Sequence, residues 1–384
     1  MNRLAKVAFV LCAGAASLLA CQLIVGVESE EGSAKPDAFA PKVDSAVADL
    51  CSHASIPTDR PDASTEAPDL EPLWFAFRTM DGLGNGPEDS FGFDLDGVCT
   101  GFKGGPTAYD GGGSCSPTSA DGDGGVDNTL PAMLRSLPGN YGTGLFQLVA
   151  KQAAEGTRTL LVYLSRYNGT PNDPFVQVQL VPSDRLASAA CGPDGRPLSD
   201  AGFTDAAGGA EWQGCDSWSF AKDQLVLVGG LPAPTGLQDG FVKDGQLVVG
   251  TTSATQLSLR IGGLNLTVTN SFLVARVGST SNDAGRKIFT LDGLVTGRLS
   301  TRSLFEAVSR SDPDLCNGAL LEGLIKPTLC SLRDIAEFPS EDFREGPCAA
   351  LSAALKFSAL QATIGPDVPG QAVPSCDASL PRCN

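Results

Sequence analysis

Histidine is almost absent: the 384-residue chain holds one, His53, in a stretch of low complexity. A single imidazole cannot supply a His-dependent catalytic triad or His-ligated zinc. Positive charge is also scarce, with 27 Lys and Arg against 44 Asp and Glu. A field of that sign repels nucleic acid and anionic headgroups, so neither is an expected partner. The twelve cysteines contain no CxxC pair, which argues further against zinc. Beyond residue 20 no run is long and apolar enough to span a membrane. No repeat of roughly 20–50 residues is apparent either, against a solenoid or propeller. At ~100–200 residues per domain, the length allows one large domain or two ordinary ones.

What is present begins with an address. Residues 1–20 read as a removable signal: Arg3 and Lys6 form a positive start, and Val7–Ala20 is an apolar run. Removing it takes away two cations and no acid, moving the net charge from −17 to −19. Leu18-Leu19-Ala20-Cys21 resembles the bacterial lipobox. That resemblance implies cleavage before Cys21, followed by acylation of its thiol and its amine. Gln22 stands where enteric bacteria would place Asp for inner-membrane retention, so the outer membrane or cell surface is the expected location. Lipid alone would then anchor the protein.

Residues 21–72 read as the lipidated cysteine and an acidic, disordered tether. From Gln22 to Pro72 eleven acids stand against Lys35, Lys42 and Arg60, among many Ala, Ser and Pro. Such a stretch buries too little apolar surface to offset its ordering entropy. Residues 73–300 read as a β-rich body that opens on Leu73-Trp74-Phe75-Ala76-Phe77. Phe175–Leu180 alternates polar and apolar residues. Leu257–Ile261, Gly262-Gly263 and Leu264–Val268 read as a hairpin, and Asp244-Gly245 and Asp292-Gly293 as further turns. Strands follow strands without regular intervening helices, so the expected fold is mostly β, an antiparallel jelly-roll-like sandwich. A membrane β-barrel alternates too, but lipidation, a long tether and many cysteines sit badly with one.

Residues 301–365 read as a small helical segment and a closing strand packed on the body. Ser303-Leu304-Phe305-Glu306 fits a capping box. Leu320, Leu321, Leu324 and Ile325 share one helical face, and Lys326-Pro327 is expected to end or kink that helix. Ala353–Ile364 suits either a strand or a helix. Residues 366–384 form a cysteine-containing tail. Setting aside Cys12 and Cys21 leaves ten cysteines, an even number that reads as disulfides in an exported chain. Connectivity is open. Cys99–Cys115, Cys191–Cys215 and Cys376–Cys383 are plausible local bridges, while Cys316, Cys330 and Cys348 would staple the helical segment with Cys51 as a distant partner.

Two oxygen-rich stretches carry the best-defined chemistry. Phe93-Asp94-Leu95-Asp96-Gly97 and Asp121-Gly122-Asp123-Gly124-Gly125-Val126-Asp127-Asn128 place acids and an amide around glycines. Ca²⁺ takes six to eight such oxygens, so Asp94, Asp96, Asp121, Asp123, Asp127 and Asn128 are candidate ligands. The second stretch is not an EF-hand, since Gly125 replaces a ligand and Ala132 holds the twelfth position. Ordinary Asx turns are the competing reading. Trp212, Asp216 and Trp218 around Cys215 would suit sugar stacking if exposed, or a core packed on a disulfide if not. Ser219-Phe220-Ala221-Lys222 matches S-x-x-K without its companion motifs, and no organic cofactor is implied.

Taken together, the lipobox, the Asp/Ser/Pro tether, Phe93–Gly97 and Gly125-Val126-Asp127-Asn128 resemble a type of outer-membrane lipoprotein abundant in myxobacteria. The resemblance runs loosely over the body, including residues 212–218 and the cysteine-rich end. It implies an address and a disulfide-rich build, but no reaction. Two functional classes follow. One is a non-catalytic surface module binding a glycan, matrix or another envelope protein. The other is a secreted hydrolase, such as a glycosidase, working through paired carboxylates.

Overall fold

Strand β1 (Leu73–Asp81) is buried on both faces over its first five residues, which an edge or a one-sided sheet would not require. The reason lies in how a computed structural model of the chain closes. It describes residues 53–62, 67–84, 91–98, 115, 121–122, 125–136, 141–189, 191–196, 209–221, 225–228, 231–234, 236–250, 256–261, 264–311, 321–342, 346–368 and 382–383. After β1 come α1 (Leu130–Ser136), α2 (Tyr141–Ala154), β2 (Thr159–Ser165), β3 (Asp173–Ser188) and β4 (Ser217–Ala221). A two-stranded ribbon, β5 (Leu225–Val228) and β6 (Leu231–Pro234), precedes β7 (Gln238–Lys243), β8 (Gln246–Val249) and β9 (Gln256–Ile261). The long strands β10 (Leu264–Ser281) and β11 (Lys287–Ser300) follow, then α3 (Thr301–Ser311), α4 (Lys326–Ser331) and β12 (Ala350–Val368).

The body is a closed barrel rather than the expected sandwich. Eight strands pair antiparallel in the circuit β1-β2-β3-β7-β8-β10-β11-β12, and β12 returns to β1 from Trp74↔Ala362 to Asp81↔Lys356. A period of two is common to both architectures, so alternation alone does not choose between them. β4 joins the far ends of β3 and β12 and closes a smaller circuit, β1-β2-β3-β4-β12. β1 and β2 therefore form a wall between two cores. Leu73, Phe75, Phe77, Leu160, Val162 and Leu164 face the large lumen. Trp74, Ala76, Leu161 and Tyr163 face the small core, with Trp218 and Phe220 of β4. The apolar lumen is the reverse of a membrane barrel with an aqueous channel. No helix among the described residues is long and apolar enough to cross a membrane.

Several local expectations shift. Asp244 and Gly245 do form the β7–β8 turn, with φ of 52° and 78°. Asp292-Gly293 does not turn; it lies inside β11, opposite Ser358 and Phe357. A Cβ on Gly293 would sit 2.2 Å from the Val274 carbonyl oxygen, so this glycine permits close strand approach. The actual β10–β11 turn spans Asn282–Arg286. α3 starts earlier than expected: the Ser300 hydroxyl accepts the Ser303 amide at 3.1 Å, making Ser300 the cap. Pro327 opens α4 instead of ending a helix, after a π-turn at Leu321–Ile325. Residues 353–364 are strand, within β12. α1 and α2 break the expected run of uninterrupted strands.

The expected tether also has an ordered end. Ile56 packs with Phe93 on the outward cluster of Phe241, Val248 and Val274, and Leu70 donates its amide to Tyr167. Residues 21–52, including the expected lipid site Cys21, lie outside the described residues.

Among the described residues three disulfides form: Cys115–Cys348, Cys191–Cys215 and Cys330–Cys383. The middle one matches expectation. Cys115 pairs with Cys348 rather than Cys99, and Cys383 with Cys330 rather than Cys376, so both bridges join segments far apart in sequence. Cys51, Cys99, Cys316 and Cys376 lie outside the described residues.

Candidate cation site and its acid network

The stretch 91–98 lies beside 125–129 through an isolated bridge, Phe93 to Asp127, in which the Asp127 amide donates to the Phe93 carbonyl. That pairing draws three acids together: one oxygen each from Asp94, Asp96 and Asp127 lies within 4.8 Å of the others. All three carboxyls are removed from water. The Asp94 side chain is 2% exposed, and residues Asp96 and Asp127 are 6% and 1% exposed.

Backbone amides fix their orientation. Asp94 Oδ1 accepts from Gly97 at 2.7 Å and Asp96 Oδ1 from Val98 at 2.8 Å. Asp127 Oδ2 accepts from Leu95 at 2.6 Å and Asp96 at 3.3 Å. Asp127 Oδ1 is buried with no hydrogen-bond partner. Burial pushes the Asp127 carboxyl up to about 10, with Asp96, Asp121 and Asp334 adding repulsion and the Leu95 amide opposing. Asp94 Oδ2 meets Nδ1 of His53, and its amide donates to the Ala54 carbonyl.

Not every expected ligand joins the cluster. Asn128 is spent on the fold: Nδ2 donates to the Phe91 carbonyl and Oδ1 accepts the Ala354 amide. Asp121 lies near enough to repel Asp127, while Asp123 lies outside the described residues. His53, Asp334, Arg298 and Asp342 are additions that no motif announced. Asp334 accepts from Thr129 and twice from Ser352, tying the second stretch to β12. Arg298 of β11 grips Asp342 and donates to the Leu95 carbonyl, steadying the first stretch. Arg298 lies on a strand, where alternation does not flag an inward charge, and the other three lie outside strands, where no periodicity applies.

The tryptophan segment is a core. Trp218 is fully buried, Trp212 is tilted against it with ring centroids 6.3 Å apart, and Cys215 between them in sequence is bridged to Cys191. Asp216, 1% exposed, accepts the amides of Glu211 and Trp212 at 3.0 and 2.9 Å. No indole–carboxylate platform faces a sugar. Ser219 is likewise buried in a strand, without the helix that S-x-x-K chemistry uses.

Asp216 has a testable titration. Burial raises its carboxyl from 3.8 to about 6, against the two amides that favour the anion. The native state thus holds a proton that the unfolded chain releases across this interval. Stability contributed by this group is present below pH ~4 and lost as pH rises to ~6, by ~3 kcal/mol at 1.36 per unit. In urea melts from pH 4 to 7, wild type should lose about that much relative to Asp216→Asn. Parallel pH profiles for the two proteins would refute the shift.

Comparison with protein-family models, with curated proteins and with solved structures yields no match.

Proposed function

We propose that the protein is an exported, lipid-anchored envelope protein whose barrel serves as a non-catalytic binding or adhesion module for a glycan, matrix or envelope partner. The observation that carries this reading is the fate of the perturbed acids. Asp127, Asp216, Asp334 and Asp342 are each at most 3% exposed and bonded to amides, hydroxyls or a guanidinium. A carboxylate-dependent hydrolase needs such groups beside a cleft that admits substrate. One groove among the described residues, lined by Pro57, Asp59, Lys243, Asp244 and Gln246, measures about 240 Å³, below the ~300 Å³ where ligand pockets usually begin. Three disulfides suit folding in an oxidising compartment, as the lipobox at Leu18–Cys21 would require.

Fractionation of cells expressing wild type and Cys21→Ser tests the address. Wild type should appear in the membrane fraction with an acylated mass, and the variant should be released or remain unprocessed. A mature, cleaved variant still in the membrane would overturn the lipid anchor. The purified Cys21→Ser chain should be retained by immobilised glycan or envelope material without releasing reducing sugar. Steady sugar release that an Asp→Asn substitution abolishes would establish the hydrolase instead.

A further inference from the structure

We propose that Asp94, Asp96 and Asp127 bind one Ca²⁺ that braces residues 91–98 against residues 125–129. Two independent observations meet here: three carboxylates converge within 4.8 Å, and Asp127 Oδ1 is sealed from water without a donor. A buried acceptor left unpaired is costly, the more so when charged, so folds rarely keep one that nothing satisfies.

The surrounding charge favours a cation. Asp121 and Asp334 add negative field at Asp127. The Arg298 guanidinium, which reaches the Leu95 carbonyl, is held in a two-pronged pair with Asp342 and contributes little net charge. His53 meets the cluster at Asp94. One imidazolium could offset one carboxylate; a divalent ion offsets two and reaches all three. The donor set is entirely hard oxygen, which disfavours zinc and copper. Mg²⁺ dehydrates reluctantly and keeps several waters, a poor match to carboxylates this deeply buried. Ca²⁺ accepts irregular geometry and completes its shell with backbone carbonyls and water.

The loop amides are consistent with this. They hold one oxygen of each acid in place through Gly97, Val98, Leu95 and Asp96, so the carboxyls are oriented before the ion arrives. Little ordering is then left for binding to bring about.

The test uses the full mature chain carrying Cys21→Ser, stripped of metal and titrated with CaCl₂, MgCl₂ or ZnCl₂. Calorimetry and elemental analysis should give one Ca²⁺ per chain, and melting temperature should rise with Ca²⁺ and fall on chelation. Asp127→Asn should lose at least tenfold in Ca²⁺ affinity. Without metal it should melt at or above the wild-type temperature, since an amide is less costly to bury there than a carboxyl crowded by two others. Asp94→Asn gives a second reading should Asp127→Asn fail to fold, with the same loss of Ca²⁺ response. A purely structural Asp127 predicts the opposite pattern, a metal-free variant that melts lower and a wild type indifferent to Ca²⁺ and chelator. That pattern, or stoichiometric Ca²⁺ uptake that survives both substitutions, would overturn the proposal. Preferential uptake of Zn²⁺ would overturn the assignment to a hard ion.

Discussion

Arg298→Met should destabilise the protein by ~3–5 kcal/mol, read as a lowered urea midpoint with an unchanged slope. Arg298 is 1% exposed and Asp342 2%, and their two bonds measure 2.5 and 2.6 Å. The same guanidinium donates to the carbonyls of Ala336 at 2.9 Å and Leu95 at 2.8 Å. Removing it strands one carboxylate and two acceptors together. Burial already pushes the Asp342 carboxyl up, with the guanidinium opposing, so the lone acid would take a proton at substantial cost. The double variant Arg298→Met/Asp342→Leu should recover much of the loss, because apolar replacement of a buried pair is often close to neutral. It should not recover everything, since the two carbonyls remain without donors. A single-variant cost below ~1 kcal/mol would mean that water reaches the pair after all.

Much of the barrel was legible as strands, and little of its closure was. Phe175–Leu180 and the hairpin flanking residues 262–263 pair as their alternation demands. Leu73–Phe77 and Leu160–Leu164 carried a further signal in their unbroken apolar runs. One-sided burial explains alternation, whereas continuous runs call for a core on each face, which β4 supplies. Gly293 was misleading because a glycine between apolar runs marks either a turn or a close backbone approach, and the distinction depends on a partner strand. The acid cluster was half legible. Both oxygen-rich stretches stood out and Asp94, Asp96 and Asp127 converge, yet Asn128 turns to the backbone of Ala354. Its role depends on β12, more than two hundred residues away in sequence. His53 was hidden by the composition around it.

Cysteine parity was similarly readable and cysteine partnership was not, and the pairings that form imply an order of stability. Cys115–Cys348 spans 233 residues of sequence, Cys330–Cys383 spans 53 and Cys191–Cys215 spans 24. If a bridge acts chiefly by shrinking the unfolded ensemble, its contribution grows with the logarithm of the loop, giving ~5, ~4 and ~3.5 kcal/mol. Cys115 and Cys348 are 3% and 1% exposed, packed with Ala336 in their own small cluster. Opening that bridge therefore adds a local packing loss to the largest entropic one. Three paired Cys→Ala variants, compared by urea midpoint under oxidising conditions, should rank in the order of loop length. Cys115→Ala/Cys348→Ala should lose ~5 kcal/mol and unfold first, close to the whole stability of a typical domain. Because every variant deletes the same two sulfurs, differences among them report ring size and burial rather than residue chemistry. A Cys191→Ala/Cys215→Ala protein less stable than Cys115→Ala/Cys348→Ala would reverse the ranking. The dominant role of that short bridge would then be to hold the Trp212–Trp218 core together in the native state, not to restrict the unfolded chain.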